Sequence, residues 1–265
     1  MSRINAKFRE LKSNERKAFI PFIMANFPDF NYSKKLLNSL PELGADLIEI
    51  GIPFTDPMAD GKIIQDAGQT ALNAGFLMEN IFDLVKSFRE KDNETPLILM
   101  GYYNPIHKIG SREFVKKIKN LGVDGLIIVD LPPEEDDELC VHCIKNQLNF
   151  IRLLTPTSDD NRLQSLLKNT SGFLYYVSVA GVTGTKVPVK ETVGQDIIRI
   201  KEKTTTPICV GFGIKNPKDA QNIALLADGA VVGSAIIEKI NSCDREEEVF
   251  DFIRSLSKAV HLIKK

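Results

Sequence analysis

One carboxylate, Glu49, interrupts the apolar run Leu47-Ile48-Glu49-Ile50-Gly51. Two more, Asp56 and Asp60, follow in the loop Ile52-Pro53-Phe54-Thr55-Asp56-Pro57-Met58-Ala59-Asp60-Gly61. Side chains alternate between the faces of a strand, so Ile48 and Ile50 share one face and Leu47, Glu49 and Gly51 the other. A glutamate on an inward face is costly unless it is paired or employed. On this stretch alone two readings stand level: a carboxyl hydrogen-bonded inside a core, or an acid–base group facing a substrate.

A second set of residues suits an anion. Gly211-Phe212-Gly213 and Gly233-Ser234 each follow a short apolar run and precede a helical stretch. Glycines let backbone N–H groups approach a ligand, and helix N-termini attract phosphate. Gly184, in the loop Gly181-Val182-Thr183-Gly184, can contribute to the same site. The competing reading is that these glycines only turn the chain. No lysine stands within or at the end of an expected strand, so a Schiff-base mechanism lacks a nucleophile. His107, His142 and His261 are scattered, with neither metal-ligand spacing nor a Ser-His-Asp arrangement. Carboxylates beside a phosphate cradle fit acid–base work on a phosphorylated small molecule.

The elements that must carry these residues form a regular alternation. Strand-like runs are expected at Phe19–Ala25, Leu47–Gly51, Leu97–Gly101, Gly125–Val129, Phe150–Leu154, Phe173–Val179, Ile208–Val210 and Ala230–Val232. Amphipathic helical stretches separate most of them, such as Phe114, Val115, Ile118 and Leu121. Lys62 to Lys91 is long enough for two helices, and the segment before Lys17 reads as a helix-prone lead-in. Such alternation implies a parallel sheet with buried strands. The expected form is an α/β fold, a single (β/α)₈ or TIM barrel over residues 1–265, with an N-terminal lead-in helix and an extra helix after strand two. An open doubly wound sheet is the alternative, but Pro28-Asp29 stands where a Gly-x-Gly-x-x-Gly turn would be needed. In a barrel the site lies at the C-terminal strand ends, where Glu49 and both glycine turns fall.

Bulk properties narrow the partners. The 265 residues are 43% hydrophobic and 26% charged, with a net charge of -1 and no basic stripe, which argues against nucleic acid. No apolar run approaches the roughly 20 residues of a membrane helix. The first residues lack an apolar signal core, so a cytoplasmic location is expected. Cys140-Val141-His142-Cys143 has CxxC spacing but no second ligand pair, so helix-face thiols are the favoured reading and no metal is expected.

Several segments resemble the tryptophan synthase α-subunit family. They are Phe19-Ile20-Pro21-Phe22, Ile48 to Pro57, Ala59-Asp60-Gly61, Ile64-Gln65, Tyr102-Tyr103-Asn104-Pro105, Asp130-Leu131-Pro132, Gly181-Val182-Thr183-Gly184 and Gly211-Phe212-Gly213-Ile214. They span almost the whole chain in the family's order. Three positions depart from the usual pattern: Lys62 where proline is common, Asn26-Phe27 where glycine and a polar or aromatic residue are common, and Thr155 where alanine is common.

The resemblance implies retro-aldol cleavage of indole-3-glycerol phosphate to indole and glyceraldehyde 3-phosphate. It implies Glu49 as the catalytic acid–base group and Asp60 as the partner of the ring N–H. Glu49, among apolar neighbours, should hold a proton, and Asp60, in a mobile polar loop, should stay ionised. Phe22, Leu99, Ile127, Tyr175 and Phe212 are candidates to line an indole slot, although barrel core is the plainer reading of such residues, and Tyr102 is a further candidate for substrate binding. Thr183 could close over the site and bond Asp60, and Gly184, Gly213, Gly233 and Ser234 would hold the phosphate. The resemblance also implies a β subunit, in an α2β2 assembly, that carries pyridoxal phosphate; no cofactor is expected in this chain. Pro53, Asp56, Pro57, Met58, Asn104 and Pro132 are candidate contacts for it. A stand-alone indole-releasing lyase, a weakly catalytic barrel that activates its partner, and another phosphate-binding barrel enzyme are the rival readings.

Overall fold

The computed structural model describes residues 2–177, 190–211 and 213–263. Among them are nine parallel strands: β1 (Ala18–Met24), β2 (Ile48–Gly51), β3 (Leu97–Gly101), β4 (Gly125–Ile128), β5 (Asn149–Phe150), β6 (Arg152–Leu154), β7 (Leu174–Tyr176), β8 (Ile208–Val210) and β9 (Gly229–Val232). Their order is β5-β4-β3-β2-β1-β9-β8-β7-β6. The two ends of that order, β5 and β6, are separated in sequence only by Ile151, so the sheet closes into a barrel. The apolar pattern predicts eight strands. The structure breaks the fifth at Ile151, where the chain passes from pairing with β4 to pairing with β7.

The helices among the described residues are α1 (Arg3–Ser13), α2 (Phe30–Ser39), α3 (Lys62–Asn73), α4 (Met78–Arg89), α5 (Tyr103–Ile109), α6 (Ser111–Leu121), α7 (Cys140–Lys145), α8 (Asp160–Leu167), α9 (Lys190–Lys201), α10 (Pro217–Leu226), α11 (Ser234–Ser242) and α12 (Glu246–His261). The two helices expected between Lys62 and Lys91 are α3 and α4, and the lead-in is α1. Ser2, Asp29, Asp159 and Asn216 cap α1, α2, α8 and α10, their side chains accepting an amide three residues on. None of the helices is long and apolar enough to cross a membrane.

Strand alternation sorts the apolar residues into two layers. Ile20, Leu47, Ile98, Ile127, Ile151, Phe173, Tyr175, Cys209 and Val231 fill the barrel, and Ile4, Phe8 and Leu11 of α1 join them. The lead-in helix is therefore a plug on the barrel floor. Phe19, Ile23, Ile48, Ile50, Leu97, Leu99, Leu126 and Ile128 pack in the layer shared with the helices. Leu99 is thus misassigned by the indole-slot expectation. It pairs in register with outward-facing Ile50, while Ile98 pairs with Glu49. With a side-chain period of two, choosing its neighbour moves the side chain to the opposite face.

Three aspartates tie neighbouring strands together at the floor. Asp46, Asp124 and Asp228 each precede a strand. Their N–H groups donate to the carbonyls of Phe19, Leu97 and Ile208, at 3.0, 2.8 and 2.8 Å. In return their carboxylates accept the N–H groups of the same three residues, at 2.9 Å each. Each carboxylate also has a basic partner. Arg3 and Arg89 meet Asp124 at 2.9 and 2.7 Å, and Lys201 meets Asp228 at 3.0 Å. His261 Nε2 lies 2.7 Å from Asp46, and its Nδ1 lies 3.0 Å from Arg16. Arginine can only donate, so Nδ1 accepts and Nε2–H donates to Asp46. The last turn of α12 is thereby stapled to β1.

Two of the sequence departures have local explanations. Asn26 has φ 62°, a left-handed backbone where glycine is the usual residue and asparagine the next best, and its amide bonds Ala71 of α3 at 3.1 Å. Lys62, in the first turn of α3, pairs with Asp66. Cys140 and Cys143 lie buried in α7 as free thiols, and Cys140 Sγ donates to the Asn169 carbonyl at 3.7 Å. Burial pushes both thiols up, Cys140 to about 12, which disfavours the thiolate that redox or metal chemistry needs. Among the described residues no cluster of potential ligands could hold a metal ion.

Asp124→Ala is expected to destabilise the protein by about 3–5 kcal/mol, because it strands the buried Arg89 guanidinium and frees the Leu97 amide. Urea unfolding checks this. A loss below about 1 kcal/mol would mean that the floor clamp contributes little.

Candidate active site

Glu49 sits at the centre of β2, in register with Phe22 of β1 on one side and Ile98 of β3 on the other. It points into the barrel and is 0% exposed. Neither carboxyl oxygen has a hydrogen-bond partner among the described residues. Water is excluded, so the charged form is disfavoured. Burial pushes the Glu49 carboxyl up to about 8, and the nearby charge of Asp60 adds to the rise. The expectation of a proton-holding acid is therefore matched by its setting.

Asp60 ends the turn Pro57–Asp60, which its N–H closes onto the Pro57 carbonyl at 3.1 Å. It is half-buried. Burial lifts its carboxyl to about 6, and a hydrogen bond from Tyr102 opposes the rise. This differs from the expectation of an ordinary ionised loop carboxylate. At neutral pH Asp60 is still mostly charged, but it titrates closer to neutrality than a solvated aspartate.

Two aromatic rings close the mouth around this pair. A Cβ at Gly51 would overlap the Phe22 ring, and a Cβ at Gly233 would come within 3.1 Å of it. Phe22 therefore lies across the ends of β2 and β9. A Cβ at Gly211 would likewise overlap Tyr175, which lies over the end of β8. Burial holds the Tyr175 hydroxyl well above its usual range, with Glu49 and Asp60 both adding to the effect. Both carboxylates thus act on one phenol at one end of the barrel. Ile127 points inward, deeper in the core.

The strand-end glycines stand on the same rim. The turn at Gly233 opens directly into α11, with Gly233 as the cap and Ser234 the first residue, and no side chain caps that N-terminus. The turn at Gly211 is different. Helix α10 begins only at Pro217 and is capped by Asn216, whose side chain accepts from Asp219. Only one of the two expected helix N-termini is therefore open at the rim. Gly213 has φ 70° and open space where a Cβ would be, so its backbone is exposed to a ligand. Thr183, Gly184 and Phe212 lie outside the described residues.

Tyr102, a candidate for substrate binding, contacts the loop after β2. Its ring stacks on Phe54 with centroids 5.1 Å apart. Its hydroxyl accepts the Ala59 N–H at 3.0 Å and donates to Asp60. Tyr103 opens α5, and its N–H donates to Asp130 at 2.8 Å. Among the candidate partner contacts, Asp56, Met58, Asn104 and Pro132 are exposed, Met58 to 78%. Pro57 is half-buried. Pro53 is buried, so its place in that set is corrected: it packs directly after β2.

Residues 8–261 match the family described as tryptophan synthase alpha chain. The chain belongs to that family. Tryptophan synthase subunit alpha from Legionella pneumophila is similar at 36% identity, over 99% of this chain and 100% of that one, with a TM-score of 0.92. A solved chain from Aquifex aeolicus is similar at 35% identity over 98% and 100%, with a TM-score of 0.91. Tryptophan synthase from M. tuberculosis, in an aminoacrylate-bound form, matches at 27% identity over 98% and 100%, with a TM-score of 0.89. Membership of the family makes the chain a lyase-type enzyme of tryptophan biosynthesis.

The Glu49 setting has a thermodynamic consequence. Its folded carboxyl titrates near 8 and an unfolded one near 4.5, so between those values the folded state holds the extra proton. Stability then falls as pH rises through that window. Glu49→Gln removes the dependence. The variant should match the parent near pH 5 and exceed it increasingly towards pH 8, by up to about 1.4 kcal/mol per pH unit. Chemical unfolding across this range measures the gap, and parallel curves would place Glu49 in a solvated setting.

Proposed function

We propose that this chain cleaves indole-3-glycerol phosphate into indole and glyceraldehyde 3-phosphate, with Glu49 as the general acid and Asp60 as the partner of the ring N–H. The observation that carries the reading is a fully buried carboxyl with no hydrogen-bond partner among the described residues, inside a barrel mouth whose rim holds a second carboxyl, Asp60; burial raises the proton affinity of Glu49 above that of Asp60. Two carboxylates driven apart in proton affinity define an acid and an electrostatic stabiliser.

The chemistry follows from the charges that develop. Glu49 delivers its proton to the ring carbon that bears the glycerol chain. The ring becomes cationic, and its positive charge is shared with the nitrogen. Asp60, accepting a hydrogen bond from that N–H, stabilises the cation most as it forms. The carbon–carbon bond then breaks, and its electron pair restores the aromatic ring. The glycerol hydroxyl at the broken bond loses its proton and becomes the aldehyde. Glu49, now a carboxylate, is placed to take that proton and regain its starting form. The phosphate tail is held by the first turn of α11 and the Gly213 backbone. Phe22 and Tyr175 flank the ring.

The exposed residues Asp56, Met58, Asn104 and Pro132 would meet a β subunit across the same mouth. Kinship with chains solved as tryptophan synthase supports that assembly. The pyridoxal phosphate of that partner would join indole to serine and has no role in the step described for this chain.

Indole release from indole-3-glycerol phosphate, with and without a β subunit, tests the assignment. The pH profile of kcat/KM should be bell-shaped, rising near pH 6 as Asp60 ionises and falling near pH 8 as Glu49 loses its proton. Glu49→Gln should lower kcat by about 10²–10⁴-fold. Normal turnover by Glu49→Gln, or a profile flat to pH 10, would remove Glu49 from the acid role.

A further inference from the structure

Gln65 lies in the first turns of α3, outside the expected catalytic set, yet it reaches back to the loop that carries Asp60. Its Nε2 donates to the Asp60 carbonyl at 2.9 Å and to the Pro57 carbonyl at 3.3 Å. These two carbonyls belong to the first and last residues of the turn. We propose that Gln65 is a positioning residue for the cleavage step, fixing the Pro57–Asp60 turn so that the Asp60 carboxylate faces the ring nitrogen.

The turn is held from two sides. Gln65 grips both ends of its backbone from α3. Tyr102 grips its middle from the end of β3, accepting the Ala59 N–H at 3.0 Å and donating to the Asp60 carboxylate. The Tyr102 ring is itself fixed by stacking on Phe54, before the turn. The following peptides are also secured, because the Ile64 and Gln65 N–H groups donate to the Gly61 carbonyl at 2.9 and 3.0 Å. What this leaves exposed is the tip, Met58 and Ala59. A turn without such anchors samples many arrangements, and only a fraction of them present Asp60 correctly. A displacement of about 1 Å at a charge-stabilising group can lower the rate about a hundredfold. Gln65 touches no reacting atom in this account; it acts through Asp60.

This inference rests on the reading of Asp60 given above, and a kinetic cycle separates the two. Gln65→Met keeps the length of the side chain and removes both donated bonds. Gln65→Glu keeps its shape and sets a carboxylate against two carbonyls, so it guards against a packing artefact of the first variant. Each should lower kcat for indole release at least about tenfold. Inhibition by inorganic phosphate should stay within about twofold, since the anion site belongs to the turns after β8 and β9 and Gln65 bonds only the turn after β2. In an Asp60→Asn background, Gln65→Met should cause little further loss, as expected of two residues acting through one group. Tyr102→Phe should move the rising limb of the pH profile upward, because it removes a bond that favours ionised Asp60. An unchanged kcat in both Gln65 variants would overturn the inference while leaving Asp60 in place. So would a full multiplicative loss in the Asp60→Asn background. Full activity of Asp60→Asn would instead overturn the underlying reading.

Discussion

The unsolvated carboxyl of Glu49 is the constraint on which the rest of the structure depends. An ionised carboxylate cannot stand without partners in a place closed to water, so the group keeps its proton. Keeping it there requires a closed wall of strands. Each neighbour of Glu49 in that wall is apolar, with Phe22 and Ile98 in register on either side. Phe22 reaches across β2 only because residue 51 has no Cβ, and Tyr175 reaches across β8 only because residue 211 has none. The glycines at the mouth thus serve the acid as much as they serve any ligand.

The two ends of the barrel divide their tasks. At the floor, Asp46, Asp124 and Asp228 are saturated by amides and by basic side chains, and α1 seals the opening. At the mouth, Glu49 has no hydrogen-bond partner among the described residues, and no side chain among them caps the N-terminus of α11. Satisfied polar groups hold the cylinder together at one end, and these groups without such partners among the described residues stand at the other.

Much of this was legible in the residues. The alternation of apolar runs and amphipathic stretches gave the barrel, and the alternation within β2 put Glu49 on its inner face. What failed did so for local reasons. Leu99 and Ile98 are equally apolar, and composition cannot tell which faces the lumen when both faces of a strand are buried. The break of the fifth strand at Ile151 depends on how the cylinder closes, which no single run of residues encodes. Pro53 reads as a loop residue, but the chain has not yet left the core at that point. Asp46, Asp124 and Asp228 each stand just before a strand, and only the paired registers reveal that each clamps its neighbour. Gln65 had one usable signal, a long amide early in the helix that follows a proline-rich turn, but its targets are backbone carbonyls that the sequence does not locate. Asn26 could have been anticipated, since asparagine commonly replaces glycine in left-handed backbone.

Burial should keep Glu49 an uncharged acid at neutral pH. Infrared difference spectroscopy of the carboxyl stretch, with Glu49→Gln to assign the band, reads its protonation directly. A protonated carboxyl at pH 7 that disappears around pH 8 is the result this account predicts. A band lost by about pH 5, as for a solvated glutamate, would contradict it.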